Sequence, residues 1–286
     1  MNFYILTKRK ILSLAVCLTA GILTFVIAMQ GISAVAETAS IPQKSPIYSV
    51  AREEKVLSIS FDTAWGDEQT EELLGILDRF QIKSTFFVAG DWVDRYPESV
   101  KAISEAGHEV CNHSNTHPHM SELSRDQIAE ELQSCNDKIE ASTGRRPILF
   151  RPPYGDYSND VIEVANSLNM HCIQWDVDSL DWKNPAPQEM KDRVLSGIRP
   201  GSIILFHNGA RNTAEALAET LEAILAEGYR IVPVSELVYN GHYITDQDGR
   251  QHPVKAPDAS SGSDLPDGSA ASDGSASSET TASSAA

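Results

Sequence analysis

Cysteine is scarce. The 286 residues carry four, Cys17, Cys111, Cys135 and Cys172, with no CxxC pair and no finger spacing. A disulfide framework is therefore not expected, nor is a zinc site built on thiolates. Positive charge is also short: 23 Lys and Arg stand against 40 Asp and Glu, a formal charge of −17. The interior holds no basic cluster to offset that excess. A chain of this kind repels phosphate backbones, so nucleic acid is not an expected partner. No repeat of fixed period recurs, and the apolar share of 41% is ordinary for a globular protein. Collagen-like, coiled-coil and fully disordered chains are excluded on composition. The length suits one large domain with tails, or two small ones.

What is present begins with a targeting segment. Lys8, Arg9 and Lys10 precede an uncharged apolar run from Ile11 to Met29, and Ser33-Ala34-Val35-Ala36 offers small residues at a cleavage point. That is the order of an export signal. The run also approaches the ~20 residues that a helix needs to cross a bilayer, so an uncleaved anchor through residues 11–29 competes with a signal peptide. Either places the remainder outside the cytoplasm, secreted or anchored to the membrane, because the basic flank stays inside. Residues 1–36 are thus read as signal or anchor, 37–50 as linker and 51–240 as the folded domain, expected to be a monomer. Residues 241–286 are read as an acidic Ser/Ala/Gly-rich disordered tail, too poor in apolar residues to repay ordering.

Within 51–240, short β-rich runs alternate with helical periodicity. The runs are Val56–Phe61, Ser84–Ala89, His108–Cys111, Ile148–Arg151, His171–Trp175, Ser202–Phe206 and Arg230–Val234. Between them, Leu73, Ile76, Leu77 and Phe80, and then Ile128, Leu132, Cys135 and Ile139, fall three or four apart, as one buried helical face requires. Ser124 with Gln127 predicts a capping box, Pro97 a first helical turn, and Gly107 and Gly228 helix ends. Seven βα repeats imply an α/β fold with a parallel sheet, right-handed crossovers and outer helices. A distorted (β/α) barrel of about seven strands is the natural closure; a doubly wound open sheet is the alternative.

The polar residues fall at one end of these strands. Asp62 follows the first run, His113 the third, Asp176 and Asp178 the fifth and His207 the sixth, while Arg151 ends the fourth. In a parallel sheet all emerge at the carboxyl edge, where α/β folds place their sites. His113 and His117 are spaced i, i+4, so on a helical turn both imidazoles would face one way and could share a divalent ion. His119 and His171 lack such support and read as surface and strand histidines.

Ser60-Phe61-Asp62, His113-Ser114-Asn115-Thr116-His117, Arg151-Pro152-Pro153-Tyr154-Gly155, Asp178-Ser179-Leu180-Asp181-Trp182 and Ile204-Leu205-Phe206-His207 resemble a known set. In order, they are similar to the five motifs of the polysaccharide deacetylases with a NodB-type domain, carbohydrate esterase family 4. The resemblance spans about residues 55–238. It implies metal-assisted removal of N-acetyl groups from a cell-wall polysaccharide, peptidoglycan or a chitin-like GlcNAc/MurNAc polymer. Phe61-Asp62-Thr63-Ala64-Trp65-Gly66 further resembles the sporulation-associated PdaB-like subgroup.

Carried over by position, the resemblance makes Asp62 the general base and His113 and His117 the metal ligands. It makes the Tyr154 backbone N–H the oxyanion donor and His207 the acid that protonates the departing amine. Arg151 would orient Asp62, Asp181 would orient and charge His207, and Trp182 would wall the groove. A structural ion pair is the bland alternative for Arg151 and Asp181, and a core aromatic for Trp182. The implied ion is zinc, with cobalt, manganese or nickel as alternatives. One position departs from the pattern: Thr63 stands where the family supplies a second aspartate as metal ligand. A hydroxyl is a poor neutral donor, so ion affinity should fall. Asp67 could substitute, although its place before Glu68 reads first as a helix N-cap. The choice between a working deacetylase and a catalytically silent carbohydrate-binding protein stays open on this residue.

Overall fold

A computed structural model describes residues 44–254. The expected signal or anchor at 1–36, and the tail beyond 254, lie outside the described residues. Among those described, no helix is long and apolar enough to cross a membrane.

The central strand is β2 (Val56–Thr63), all eight of whose residues are buried. A strand covered on both faces needs this near-continuous burial, and a parallel sheet flanked by helices provides it. Around it stand β3 (Thr85–Val88), β4 (Glu109–Asn112), β5 (Leu149–Phe150), β6 (His171–Cys172), β7 (Val177–Asp178), β8 (Ile203–His207) and β9 (Arg230–Ile231). The order is β6-β5-β4-β3-β2-β8-β7, with β9 beside β2, and every pairing is parallel. This is the distorted α/β barrel the alternation predicts. Its ladder is open between β6 and β7.

Among the described residues eight α-helices accompany the strands: α1 (Thr70–Arg79), α2 (Gly90–Arg95), α3 (Pro97–Glu105), α4 (Arg125–Thr143), α5 (Asn159–Ser167), α6 (Pro187–Gly197), α7 (Thr213–Ala226) and α8 (Val234–Leu237). Helix α4 buries Ile128, Leu132, Cys135 and Ile139, the stripe set by its periodicity, and opens on the expected Ser124–Gln127 capping box. Pro97 starts α3. Gly107 and Gly228 follow α3 and α7 with φ of +81° and +84°, values that a side chain resists. In α1 Leu73 and Leu77 are buried, whereas Ile76 and Phe80 only lean on the core, since Phe80 already lies past the helix end. Phe61 stacks on Phe86 at 4.7 Å and tilts against Phe206 at 6.0 Å, joining three neighbouring strands through one aromatic cluster.

Two segments depart from the sequence reading. Residues 47–50, expected as linker, carry buried Ile47 and Val50 and the strand β1 (Ser49–Val50). Residues 243–253, expected in the tail, form β10 (Tyr243–Thr245) and β11 (Arg250–Pro253), which join β1 in a second sheet. Both pieces are too short to show a period, and apart from the β10–β11 hairpin their hydrogen bonds come from distant residues. Ile47 bridges to Ile173 beyond β6, and Ser49 to Ser202 before β8, so this segment crosses the side where the barrel ladder is open.

Gly201 makes that crossing possible. At φ +87°, a Cβ built on it would lie 1.7 Å from the Val50 carbonyl oxygen, which is backbone and cannot step aside. Gly201→Ala is expected to destabilise the fold by about 3 kcal/mol, adding left-handed strain to overpacking. For a domain of this size that lowers Tm by roughly 6 to 12 °C in a thermal melt. An unchanged melt would mean that the segment 47–50 is not part of the cooperative unit.

Candidate active site

The carboxyl ends of the strands open into a cavity of about 660 Å³. Asp62, His113, His117, Tyr154, Trp182 and His207 all line it, joined by Trp65, Trp175, Asp178 and Asn208. Parallel pairing explains the convergence. Asp62 stands in register with His207 across β2 and β8, and the His113 N–H donates to the Val88 carbonyl at the end of β3.

The base candidate is clamped from below. Arg151, fully buried, donates from Nη1 to Asp62 Oδ1 at 2.8 Å, and from Nη2 to Ser60 Oγ at 2.8 Å and the Gln174 carbonyl at 3.1 Å. Its guanidinium also lies 4.1 Å from the Phe87 ring centre. Burial alone would push the Asp62 carboxyl up. The charges of His113, Arg151 and His207, with the Arg151 hydrogen bond, outweigh it and hold the pKa below the usual carboxylate value.

The acid candidate is built the same way. Asp181, with no exposed surface, accepts from His207 Nδ1 at 2.7 Å, the His207 backbone N–H at 2.6 Å and Thr213 Oγ1 at 2.7 Å. The carboxylate fixes the proton on Nδ1 and leaves Nε2 as the free nitrogen. Burial works against a charged imidazole, but the hydrogen bond and charge of Asp181, with Asp62 and Asp178, raise the His207 pKa.

His113 Nδ1 lies 2.8 Å from the Arg151 carbonyl, which can only accept, so Nδ1 carries the hydrogen and Nε2 the lone pair. Burial lowers both metal-ligand candidates, and His117, further lowered by His113, falls to about 3. A neutral imidazole with one nitrogen already bonded to the protein, as at His113, is suited to bind a cation. The His113 and His117 rings sit 4.9 Å apart. They do not meet on a helical turn as the i, i+4 spacing suggested. Ser114 and His117 take φ of +65° and +61°, and the segment runs as a loop after β4. The His117 N–H donates to Ser114 Oγ, which folds the loop back.

Strain gathers here. Of seven non-glycine residues with positive φ among those described, five (Ser114, His117, Tyr154, Leu180 and Asn184) are in the strand-end loops around this cavity. Such conformations each cost of order 1–3 kcal/mol and persist where the surroundings impose them. Tyr154, at φ +60°, turns its ring edge-on to His117 and stacks on His119 at 4.5 Å. His119 is exposed, as expected, yet it touches the site through this stack. His171 lies apart, on β6, with Nδ1 3.0 Å from the Tyr243 hydroxyl.

Among the described residues no carboxylate is grouped with His113 and His117 in place of the missing aspartate as a third metal donor. Thr63 is fully buried, and its hydroxyl has no hydrogen-bond partner. Asp67 is not the N-cap of α1, a position Gln69 holds; its carboxylate accepts from Ser99 Oγ at 2.8 Å, and it is not among the residues that line the cavity. Among the described residues no three His, Cys, Asp or Glu side chains are grouped as a metal site. The donor set still fits an ion in part. His113 Nε2 faces Asp62 Oδ2 at 3.5 Å in buried space, where a lone pair and a carboxylate oxygen call for a cation or proton between them.

Trp65, part of the Phe61–Gly66 run, has no role at the site in the sequence reading. It is 57% exposed and packs edge-on against His117 at 4.7 Å. The turn that carries it is pinned from inside. The Gly66 carbonyl accepts from Trp92 Nε1 at 2.6 Å and Asn208 Nδ2 at 3.2 Å. An aromatic followed by glycine just past a strand-end acid was the signal available.

An α/β barrel with a clamped carboxylate and a clamped imidazole facing one aromatic-walled cavity defines the class. The polysaccharide deacetylase family model matches residues 49–173. The chain is 39% identical over 196 residues to the uncharacterized protein YlxY of Bacillus subtilis, covering 68% of this chain and 61% of YlxY. It is 32% identical over 190 residues to the peptidoglycan-N-acetylmuramic acid deacetylase PdaA of the same organism, covering 65% of this chain and 72% of PdaA. Among solved structures, a mutant of BA3943 from Bacillus anthracis, described as a CE4 family pseudoenzyme with restored enzymatic activity, superposes with a TM-score of 0.66. That match is at 39% identity and covers 68% of this chain and 71% of the other. The chain belongs to the polysaccharide deacetylase family. It spans about three fifths of the length of YlxY.

Proposed function

We propose that this protein is an exported deacetylase that hydrolyses N-acetyl groups of a cell-wall glycan, peptidoglycan or a related GlcNAc/MurNAc polymer. The observation that carries the reading is the pair of clamps: Asp62 held ionised by Arg151, and His207 held protonated by Asp181, in register on adjacent strands and lining one cavity. Asp62 Oδ takes a proton from the attacking water, whose oxygen forms the new bond to the acetyl carbon. The Tyr154 backbone N–H receives the developing negative oxygen, a contact that can be worth ~3 kcal/mol. His207 Nε2 gives its proton to the sugar nitrogen as the C–N bond breaks, leaving free amine and acetate. His113 and His117 are the residues that would hold a divalent ion, zinc or else cobalt, manganese or nickel. Bound there, it would supply polarisation of the acetamide carbonyl and a more acidic water. Trp182 and Tyr154 would hold the sugar, and residues 11–29 would carry the chain to the membrane.

Thr63 favours a second reading, a glycan-binding protein without turnover on the same frame. Acetate release from N-acetylated peptidoglycan or chitin oligomers, measured with each of the four metals, separates the two. Turnover is expected, and Asp62→Asn should reduce it by about 10²- to 10⁴-fold. Because the His207 pKa is raised, its acid form outlasts that of an ordinary histidine, so the rate should hold above pH 6.5 and fall only as pH passes the raised value. Glycan binding without acetate release under every metal would establish the second reading.

A further inference from the structure

Ser114 and His117, two of the strained residues, sit in the loop that brings the His113 and His117 rings together, and such strain persists where the surroundings impose it. One side of the loop is held by the start of α2. The Gly90 and Asp91 N–H groups donate to the Ser114 and Asn115 carbonyls at 3.0 and 2.9 Å. The approach is close, since a Cβ on Gly90 would lie 2.2 Å from Asn115 Oδ1 and 3.1 Å from its Cα. The other side meets Glu131 of α4. Its Oε2 accepts the Asn115 and Thr116 N–H groups, each at 2.8 Å, and its Oε1 accepts from Thr116 Oγ1 at 2.8 Å.

Two successive N–H groups reach one carboxylate oxygen where the chain turns, because in a strand they point to opposite sides. The carboxylate therefore favours the reversal between His113 and His117 over an extended path. Glu131 is in turn well seated. Asn112, buried at the end of β4, donates from Nδ2 to the Leu132 carbonyl at 2.8 Å and to Asn136 Oδ1 at 2.7 Å, which fixes α4 against the strand that leads into the loop. The same side chain accepts the Ser114 N–H at 2.8 Å through Oδ1. Glu131 is not among the residues that line the cavity, so it acts on the site through the loop backbone and not as a ligand. We infer that Glu131 is a positioning residue, which holds His117 beside His113 through the Asn115–Thr116 turn. This rests on the reading of His113 and His117 as the ion-holding pair and adds what places them.

The test compares Glu131→Gln and Glu131→Ala in the full chain at pH 7, with Glu130→Gln, an exposed neighbour on the same helix, as the charge control. Glutamine keeps the geometry: its side-chain oxygen accepts the two N–H groups and its amide donates to the Thr116 hydroxyl oxygen. Without metal, the reading is the nuclear Overhauser contact between the His113 and His117 ring protons in histidine-labelled protein. It is expected in the wild type, whose ring centres are 4.9 Å apart, and in Glu131→Gln, and should vanish in Glu131→Ala. Zinc is then titrated calorimetrically into each protein, with Thr63→Asp added to every one to supply a third donor. Glu131→Ala should weaken Kd by about tenfold or more, the range for disturbing groups that orient metal ligands. Glu131→Gln and Glu130→Gln should stay within about threefold of the parent, because the hydrogen bonds to the loop persist. A retained ring contact in Glu131→Ala, or a loss of zinc affinity in Glu131→Gln equal to that in Glu131→Ala, overturns the positioning role. Should Glu131→Ala not fold, hydrogen exchange in the wild type decides. The Thr116 N–H, on an exposed residue, should exchange about tenfold or more slowly than a free loop amide, and exchange at the free rate overturns the role. Failure of the deacetylase reading would appear instead in the wild type alone, as absent acetate release.

Discussion

Arg151→Met is expected to destabilise the protein by about 3–5 kcal/mol at pH 7, the range for removing one partner of a buried ion pair. On a domain of this size that is a Tm loss of roughly 6 to 20 °C. The reason is what remains behind. Asp62 is 6% exposed, and without the guanidinium its carboxylate keeps only the protonated His207 as a neighbouring cation. Ser60 Oγ and the Gln174 carbonyl lose their donor as well. The pH dependence distinguishes this account from lost packing. In the wild type the Asp62 pKa is lowered, so its contribution is present above the unfolded carboxylate value and is lost as pH falls through the folded one. In Arg151→Met, burial dominates and raises that pKa, so the gap between the two proteins should close as pH falls and Asp62 takes up a proton. Urea unfolding at pH 7 and pH 4.5 reads this directly. The double variant Asp62→Asn/Arg151→Met should recover a large part of the loss, because no buried charge is left unpaired. A deficit independent of pH, or strict additivity in the double variant, would assign the cost to cavity formation instead.

Thr63→Asp should have the largest effect on metal affinity. The wild-type hydroxyl is fully buried and unpartnered, in the position that the family resemblance assigns to an anionic ligand. A carboxylate there would stand next to Asp62 along β2, and without metal the two charges should disfavour each other. The metal-free variant is therefore expected to be less stable than the wild type by about 1–3 kcal/mol. A divalent ion reverses the sign. At a zinc concentration a hundredfold above Kd the folded state gains ~2.7 kcal/mol. The measurements are metal content after purification without chelator, and the shift of Tm on adding zinc. The variant should retain about one zinc per chain and shift strongly, where the wild type shifts little, and His113→Ala in the variant background should abolish the gain. Equal zinc content in wild type and variant would mean that the two imidazoles suffice and that position 63 is not a ligand position.

The legible parts of this molecule were those in which local pattern and long-range structure say the same thing. The apolar run Val56–Phe61 sits inside the longer strand Val56–Thr63, and the three-and-four spacing of Ile128, Leu132, Cys135 and Ile139 gives the buried face of α4. The site residues were legible because parallel strands deliver their carboxyl ends to one rim, so order along the chain becomes proximity in space. What was not legible depended on backbone or on distant partners. His113 and His117 converge through left-handed residues rather than a helical turn, which spacing does not encode. The pieces at 47–50 and 243–253 gain order from each other and from residues far along the chain, among them Gly201 and Ile173. Asp67 reads as a cap until Ser99, 32 positions away, takes its carboxylate.

The three thiols in the described region have a bearing on how the protein lasts. Cys111, Cys135 and Cys172 are free and buried, and burial pushes Cys135 and Cys172 up to about 12, so almost no thiolate exists in the closed state. In an oxidising compartment that silence ends whenever the barrel opens, because exchange needs only exposure and an ionised sulfur. Among these three thiols at most one intramolecular pair can form, which leaves the third to another partner. Durability would thus be governed by how seldom the barrel opens, a rate rather than an equilibrium.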